Sequence, residues 1–171
     1  EPEYYKEEHK NIFRQMWSSS KTVFHNKQLL LLMIASLIML AFGETAHNLK
    51  PIFFEFKNIP IEYFGLVFGV TFALSSLGHY LSYRIAEKIG DKLTLILSAI
   101  TFPLFLFLST LVGGFSSMAL LVITSIPFGL RNPILGHLLN VEIESSKRAT
   151  ILSINNLLGR LGMAIGGPFI G

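Results

Sequence analysis

Residues 93–117 read LTLILSAITFPLFLFLSTLVGGFSS, a stretch without one Asp, Glu, Lys or Arg. A helix that crosses a bilayer needs about 20 mostly apolar residues. The first nineteen positions, 93–111, come close to that length, and Gly113-Gly114 then marks a turn. Working outward, four more apolar runs appear, at 28–49, 61–83, 117–139 and 150–171. Short connections separate the five, so consecutive helices are expected to run antiparallel. Pro51 and Pro60 bracket the connection after the first run and read as turn signals.

Composition agrees. Of 171 residues, 51% are hydrophobic and 15% charged, against about 25% charged in soluble domains. The net charge is +3, but the basic residues sit in short loops and form no patch with interleaved aromatics, so no nucleic-acid partner is expected. Cysteine is absent, which excludes disulfides and thiolate metal sites. No metal-ligand spacing, phosphate loop or nucleophile triad occurs. Neither an enzyme nor a cofactor is expected. A channel is also disfavoured, since no repeat of short pore-lining elements is present.

The expected organisation is therefore all-α. Residues 1–26 form a linker and an amphipathic segment at the membrane interface, with Trp17 at headgroup level. An ordinary helical linker is the alternative. Residues 27–171 form a transmembrane bundle. The chain starts at Glu1 and stops at Gly171 within an apolar run. Both ends read as cuts, so a fragment truncated at its C-terminus is expected.

Cytoplasmic loops carry an excess of Lys and Arg. The N-terminal segment holds Lys6, Lys10, Arg14, Lys21 and Lys27; the second connection holds Arg84, Lys88 and Lys92; the fourth holds Lys147 and Arg148. The first connection has only Lys50 and Lys57, and the third has none. This alternation places the N-terminal segment in the cytoplasm of a cell-membrane protein. Small residues four apart let helix backbones approach closely. Gly65 and Gly69 offer this in the second run, as do Gly162 and Gly166 in the fifth, where Gly159 falls on the same face.

The second connection, Tyr83-Arg84-Ile85-Ala86-Glu87-Lys88-Ile89-Gly90-Asp91-Lys92, resembles the signature loop of the major facilitator superfamily, Gly-x-Leu-Ala-Asp-Arg-x-Gly-Arg-Lys. Tyr83 stands where that pattern has its first Gly, and Asp91 replaces the first of its closing basic pair. Tyr63 to Gly69 resembles the start of the eighth span of bacterial-type members. Arg148 to Gly166 resembles the start and body of the eleventh. The resemblance covers nearly the whole chain, as spans seven to eleven of twelve. It implies five transmembrane helices of a six-helix half-bundle in a bacterial efflux-like transporter. It also implies a small-molecule substrate, a bilayer and a missing N-terminal half as partners. In the family the loop carboxylate latches one half against the other, which makes Arg84, Glu87, Lys88, Gly90 and Lys92 the expected latch; a plain solvated turn is the alternative.

Ionisable groups within spans are costly and face the bundle interior. Glu44 stands in the first run with His47 one turn on along the same face. Together they are suited to exchanging protons with the outside, as in proton-coupled efflux, unless Glu44 is merely a wetted structural residue. Arg131 follows Pro127 and Gly129 and precedes Asn132-Pro133, so it is expected at a disturbed stretch of helix. Arg160, preceded by Asn155 and Asn156, offers a planar fork for an anionic substrate or for a carboxylate on another helix, Glu44 among them. A non-transporting receptor or assembly subunit with the same fold stays open as the alternative function.

Overall fold

The structure, a computed structural model, describes residues 12–170. The linker expected at residues 1–10 and the terminal Gly171 lie outside the described residues. The described residues form eight α-helices: α1 (Ile12–His25), α2 (Lys27–Asn48), α3 (Lys50–Phe56), α4 (Phe64–Ile89), α5 (Asp91–Leu111), α6 (Gly114–Ile123), α7 (Ser125–Glu142) and α8 (Arg148–Ile170). A 3₁₀ turn, Ile61–Tyr63, leads into α4. No strand occurs among the described residues.

Among the described residues, four helical stretches are long and apolar enough to cross a membrane: Lys27–Asn48, Ile61–Ile89, Asp91–Leu111 and Gly114–Glu142. The fifth apolar run also folds as a helix, α8, but Arg148, Asn155, Asn156 and Arg160 make it more polar. Large apolar side chains such as Leu31, Phe42, Leu66 and Phe107 point outward. A water-soluble chain of this size would bury them, whereas a bilayer or a further helical unit accepts them.

Local chemistry fixes the helix ends. The Asn26 side chain accepts hydrogen bonds from the Gln28 and Leu29 backbone amides, capping α2. The Asn26 side-chain amide also donates to Glu142 on α7 at 3.3 Å. Lys147, just before α8, donates to Thr22 on α1 at 2.9 Å. The Arg148 guanidinium donates to the carbonyls of Asn140 and Ile143, at 3.3 and 3.4 Å, satisfying groups that the end of α7 leaves unpaired. These contacts gather the start of α2, the end of α7 and the start of α8 at one end of the bundle.

The connections differ from the sequence-based expectation in three places. The signature segment is not a loop through most of its length: α4 continues to Ile89, and Gly90, with φ 85°, alone separates it from α5. Only a residue tolerant of positive φ permits so abrupt a reversal. At 1.5 Å per residue α4 is about 39 Å long, so its last turns project beyond a hydrocarbon core of about 30 Å. The run at 117–139 is broken, with Thr124 between α6 and α7. Pro127 has no N–H for the Ile123 carbonyl, and the helix restarts there. Pro133 lies further along, inside α7.

The first connection is the third difference. Rather than an open turn, residues 50–56 form α3, with Pro51 in the first turn, where its missing N–H goes unnoticed. Phe54 is fully buried and meets Phe64 edge-on at 5.5 Å between ring centroids. Ile59, Val67 and Leu121 complete this small apolar cluster. It folds the connection back onto α4 and α6 and carries Lys50 inside. Lys57 donates to the carbonyls of Thr110 and Val112 at 2.9 and 2.7 Å, capping the end of α5.

The tightest helix contact joins α4 to α7. A β-carbon on Gly129 would collide with the Ser75 carbonyl, and one on Gly78 with that of Ile126. The α2–α8 contact also depends on glycine: a β-carbon on Gly159 would strike Leu40, and one on Gly162 would lie 3.3 Å from the Ala41 β-carbon. Gly65, Gly69 and Gly166 face open space within this chain.

Candidate functional site

A cavity of about 220 Å³ lies between α2, α4 and the α6–α7 break. Glu44 and His47 reach it from successive turns of α2, as their three-residue spacing requires. Thr71 and Ser75 reach it from α4, and Ser125 from the first turn of α7. Phe72, Phe102 and Phe128 supply its apolar walls.

His47 sits among three phenyl rings. Its ring centroid lies 6.2 Å from that of Phe68, 6.1 Å from Phe72 and 6.0 Å from Phe128, and it stacks on the last with a 26° tilt. Ring-on-ring contacts of this kind favour defined stacked or edge-on arrangements, so the cage fixes where the imidazole lies.

Lys50 also lines the cavity and is only 5% exposed. Sequence reasoning treated it as an ordinary loop lysine. The turn of chain through α3 is what places it inside, and no local pattern around position 50 announces that. Burial pushes its ammonium down to about 8, well below the usual lysine range.

Arg131 is 4% exposed and stands two turns beyond the Thr124 break. Its guanidinium lies 4.2 Å from the centroid of Phe128 and 5.7 Å from that of Phe102. It thus backs the aromatic wall, on the side of a larger crevice of about 550 Å³ between α2 and α5. Its Nε has no hydrogen-bond partner among the described residues.

The other sequence candidates are placed elsewhere. Asn155 is buried and donates to Ser36 at 3.0 Å, tying α8 to α2. Asn156 and Arg160 are exposed on α8 and do not line the cavity. No ion pair joins Arg160 to Glu44 among the described residues. At the opposite end, the Arg84 guanidinium donates to the Tyr80 hydroxyl at 2.6 Å and stacks on that ring at 4.7 Å. Glu87, Lys88, Gly90 and Lys92 are exposed. Asp91 lies 3.5 Å from the ring of His137 on α7, a contact that the sequence did not suggest.

A family model described as Major Facilitator Superfamily matches residues 2–167. The chain belongs to the major facilitator superfamily. Membership makes it part of a multi-pass membrane protein of a transporter family, acting on a small molecule, and the outward-facing apolar helices agree. No curated protein and no solved structure matches the chain significantly.

Proposed function

We propose that the protein carries out secondary active transport of a small solute by alternating access, with Glu44 and His47 as the proton-linked pair on its pathway. The observation that carries this reading is the internal cavity in which an acid and a base from adjacent turns of α2 meet buried, unpartnered hydroxyls. Transporters of this architecture bind solute near the bilayer midplane between repeated units and rock around that site. This chain supplies one such unit, corresponding to spans seven to eleven; the facing unit is a preceding N-terminal half. Proton-coupled efflux across the cell membrane is the mode, with the α1 and Gly90 end in the cytoplasm. Glu87 latches that end against the other half, a role supported by its exposure and by its having no ion pair among the described residues.

The test is reconstitution of the full-length protein in proteoliposomes with an imposed pH gradient. Glu44→Gln is expected to abolish the dependence of solute movement on the gradient while insertion stays intact. His47→Ala should shift the pH profile more mildly. Gradient dependence unchanged in Glu44→Gln would remove Glu44 from the proton path. No solute movement by the unaltered protein would favour a receptor or assembly subunit instead.

A further inference from the structure

The cavity contains more cationic and hydrogen-bonding capacity than the chain itself uses. Lys50 is buried at its edge, and no ion pair ties it to Glu44 among the described residues. The hydroxyls of Thr71 and Ser125, 2% and 3% exposed, also line it and have no hydrogen-bond partner among the described residues. Buried polar groups normally have partners, and each one left alone is costly. Here two such hydroxyls, from α4 and α7, and the ammonium of Lys50, from α3, converge on one space.

Their chemistry indicates what would satisfy them. An ammonium donates only, and hydroxyls donate readily. A guest that accepts from all three carries negative charge. Arg131 behind the Phe102–Phe128 wall adds a second positive charge nearby. Two fixed cations thus stand against the single carboxylate of Glu44. The anionic group is small, since one lysine and two hydroxyls provide neither the fork nor the charge that a phosphate dianion selects. The remaining wall is phenyl rings, which match a flat apolar body.

We propose that this cavity binds a small organic monoanion, with its carboxylate on Lys50, Thr71 and Ser125 and its aromatic or apolar body against Phe72, Phe102 and Phe128. The assignment rests on the transport reading of the same cavity and names its substrate class. Lys50 is the specificity-determining residue: it excludes amines by repulsion and disfavours neutral analogues, which would leave it unpaired.

The experiment is equilibrium binding to the full-length protein in detergent, at pH 7, by calorimetry. The probes are phenylacetate, its neutral amide phenylacetamide, phenethylamine and phenylalanine. Phenylacetate is expected to bind and the amide and amine to bind far more weakly. Lys50→Gln should weaken phenylacetate by about 30-fold or more, as loss of a buried charge partner does, whereas Lys50→Arg should retain most of the affinity. Equal binding of the amide, full affinity in Lys50→Gln, or no phenylacetate binding would each overturn the proposal. Tighter binding of phenylalanine than phenylacetate would assign Glu44 to a ligand ammonium and also overturn it. The two readings fail separately. Gradient-driven transport without phenylacetate binding sinks the anion assignment alone. Lys50-dependent binding without gradient-driven movement sinks the transporter reading alone.

Discussion

Arg131 and Gly43 meet where α7 crosses α2: a β-carbon at position 43 would lie 2.6 Å from both terminal guanidinium nitrogens. The absence of a side chain there lets a buried guanidinium lie over Phe128. Gly43→Ala should displace it at a cost of about 1–3 kcal/mol, the usual range for overpacking. Combining Gly43→Ala with Arg131→Lys should be less harmful than the sum of the two, because the shorter, narrower head leaves room. A double-mutant cycle read by thermal unfolding measures this coupling. Strict additivity would mean that the two residues do not constrain each other.

Glycines at the α4–α7 crossing should tolerate substitution least. At Gly78 and Gly129 the obstructing atoms are backbone, which cannot swing aside. Gly78→Ala and Gly129→Ala should each sharply reduce the yield of monodisperse protein. Gly65→Ala, facing open space in this chain, should be nearly neutral for stability. Size-exclusion profiles of the purified variants give the comparison. A silent Gly129→Ala would refute the close crossing.

These glycines show where the sequence was legible. Hydropathy is local, so the apolar runs mark the long helices directly, and the spacing of Glu44 and His47 predicts one shared face. Which glycine faces a neighbour depends on how two helices are rotated, and spacing within one helix carries no such information. Hence Gly65 and Gly69 drew attention while Gly78 and Gly129 did not. Lys50 was missed for a related reason: its burial depends on Phe54 docking between α4 and α6, a contact between distant parts of the chain. Arg160 is exposed on α8, and no ion pair joins it to Glu44 among the described residues.

Sidedness can be read by cysteine labelling in intact cells. Lys57 is a poor reporter, since its ammonium is engaged at the end of α5. Glu62 is exposed at the same end of the bundle, and Lys88 is exposed at the other. Glu62→Cys should react with an impermeant maleimide from outside, and Lys88→Cys only after permeabilisation. The reverse pattern would invert the proposed orientation.

Lys50 makes stability depend on pH in a direction opposite to that of a salt-bridged lysine. Burial without an ionic partner disfavours its charged form, so the folded protein releases this proton near pH 8 while the unfolded chain holds it to about 10.5. Between those values the unfolded state binds more protons, and stability therefore rises with pH. The gain is complete above about 10.5 and is lost as pH falls through about 8. At pH 7 the buried ammonium is a net burden on the empty protein. Lys50→Met fills similar space without charge, so it should melt at a higher temperature than the unaltered protein at pH 7. The gap should narrow as pH is raised from 8 toward 10, because only the unaltered protein sheds the charge. Thermal melts of both proteins at pH 7, 8.5 and 10 provide the measurement. A gap that stays constant across this window would mean that Lys50 finds a partner or water in the folded state. Every other residue is the same in both proteins, so the difference between their melts isolates position 50.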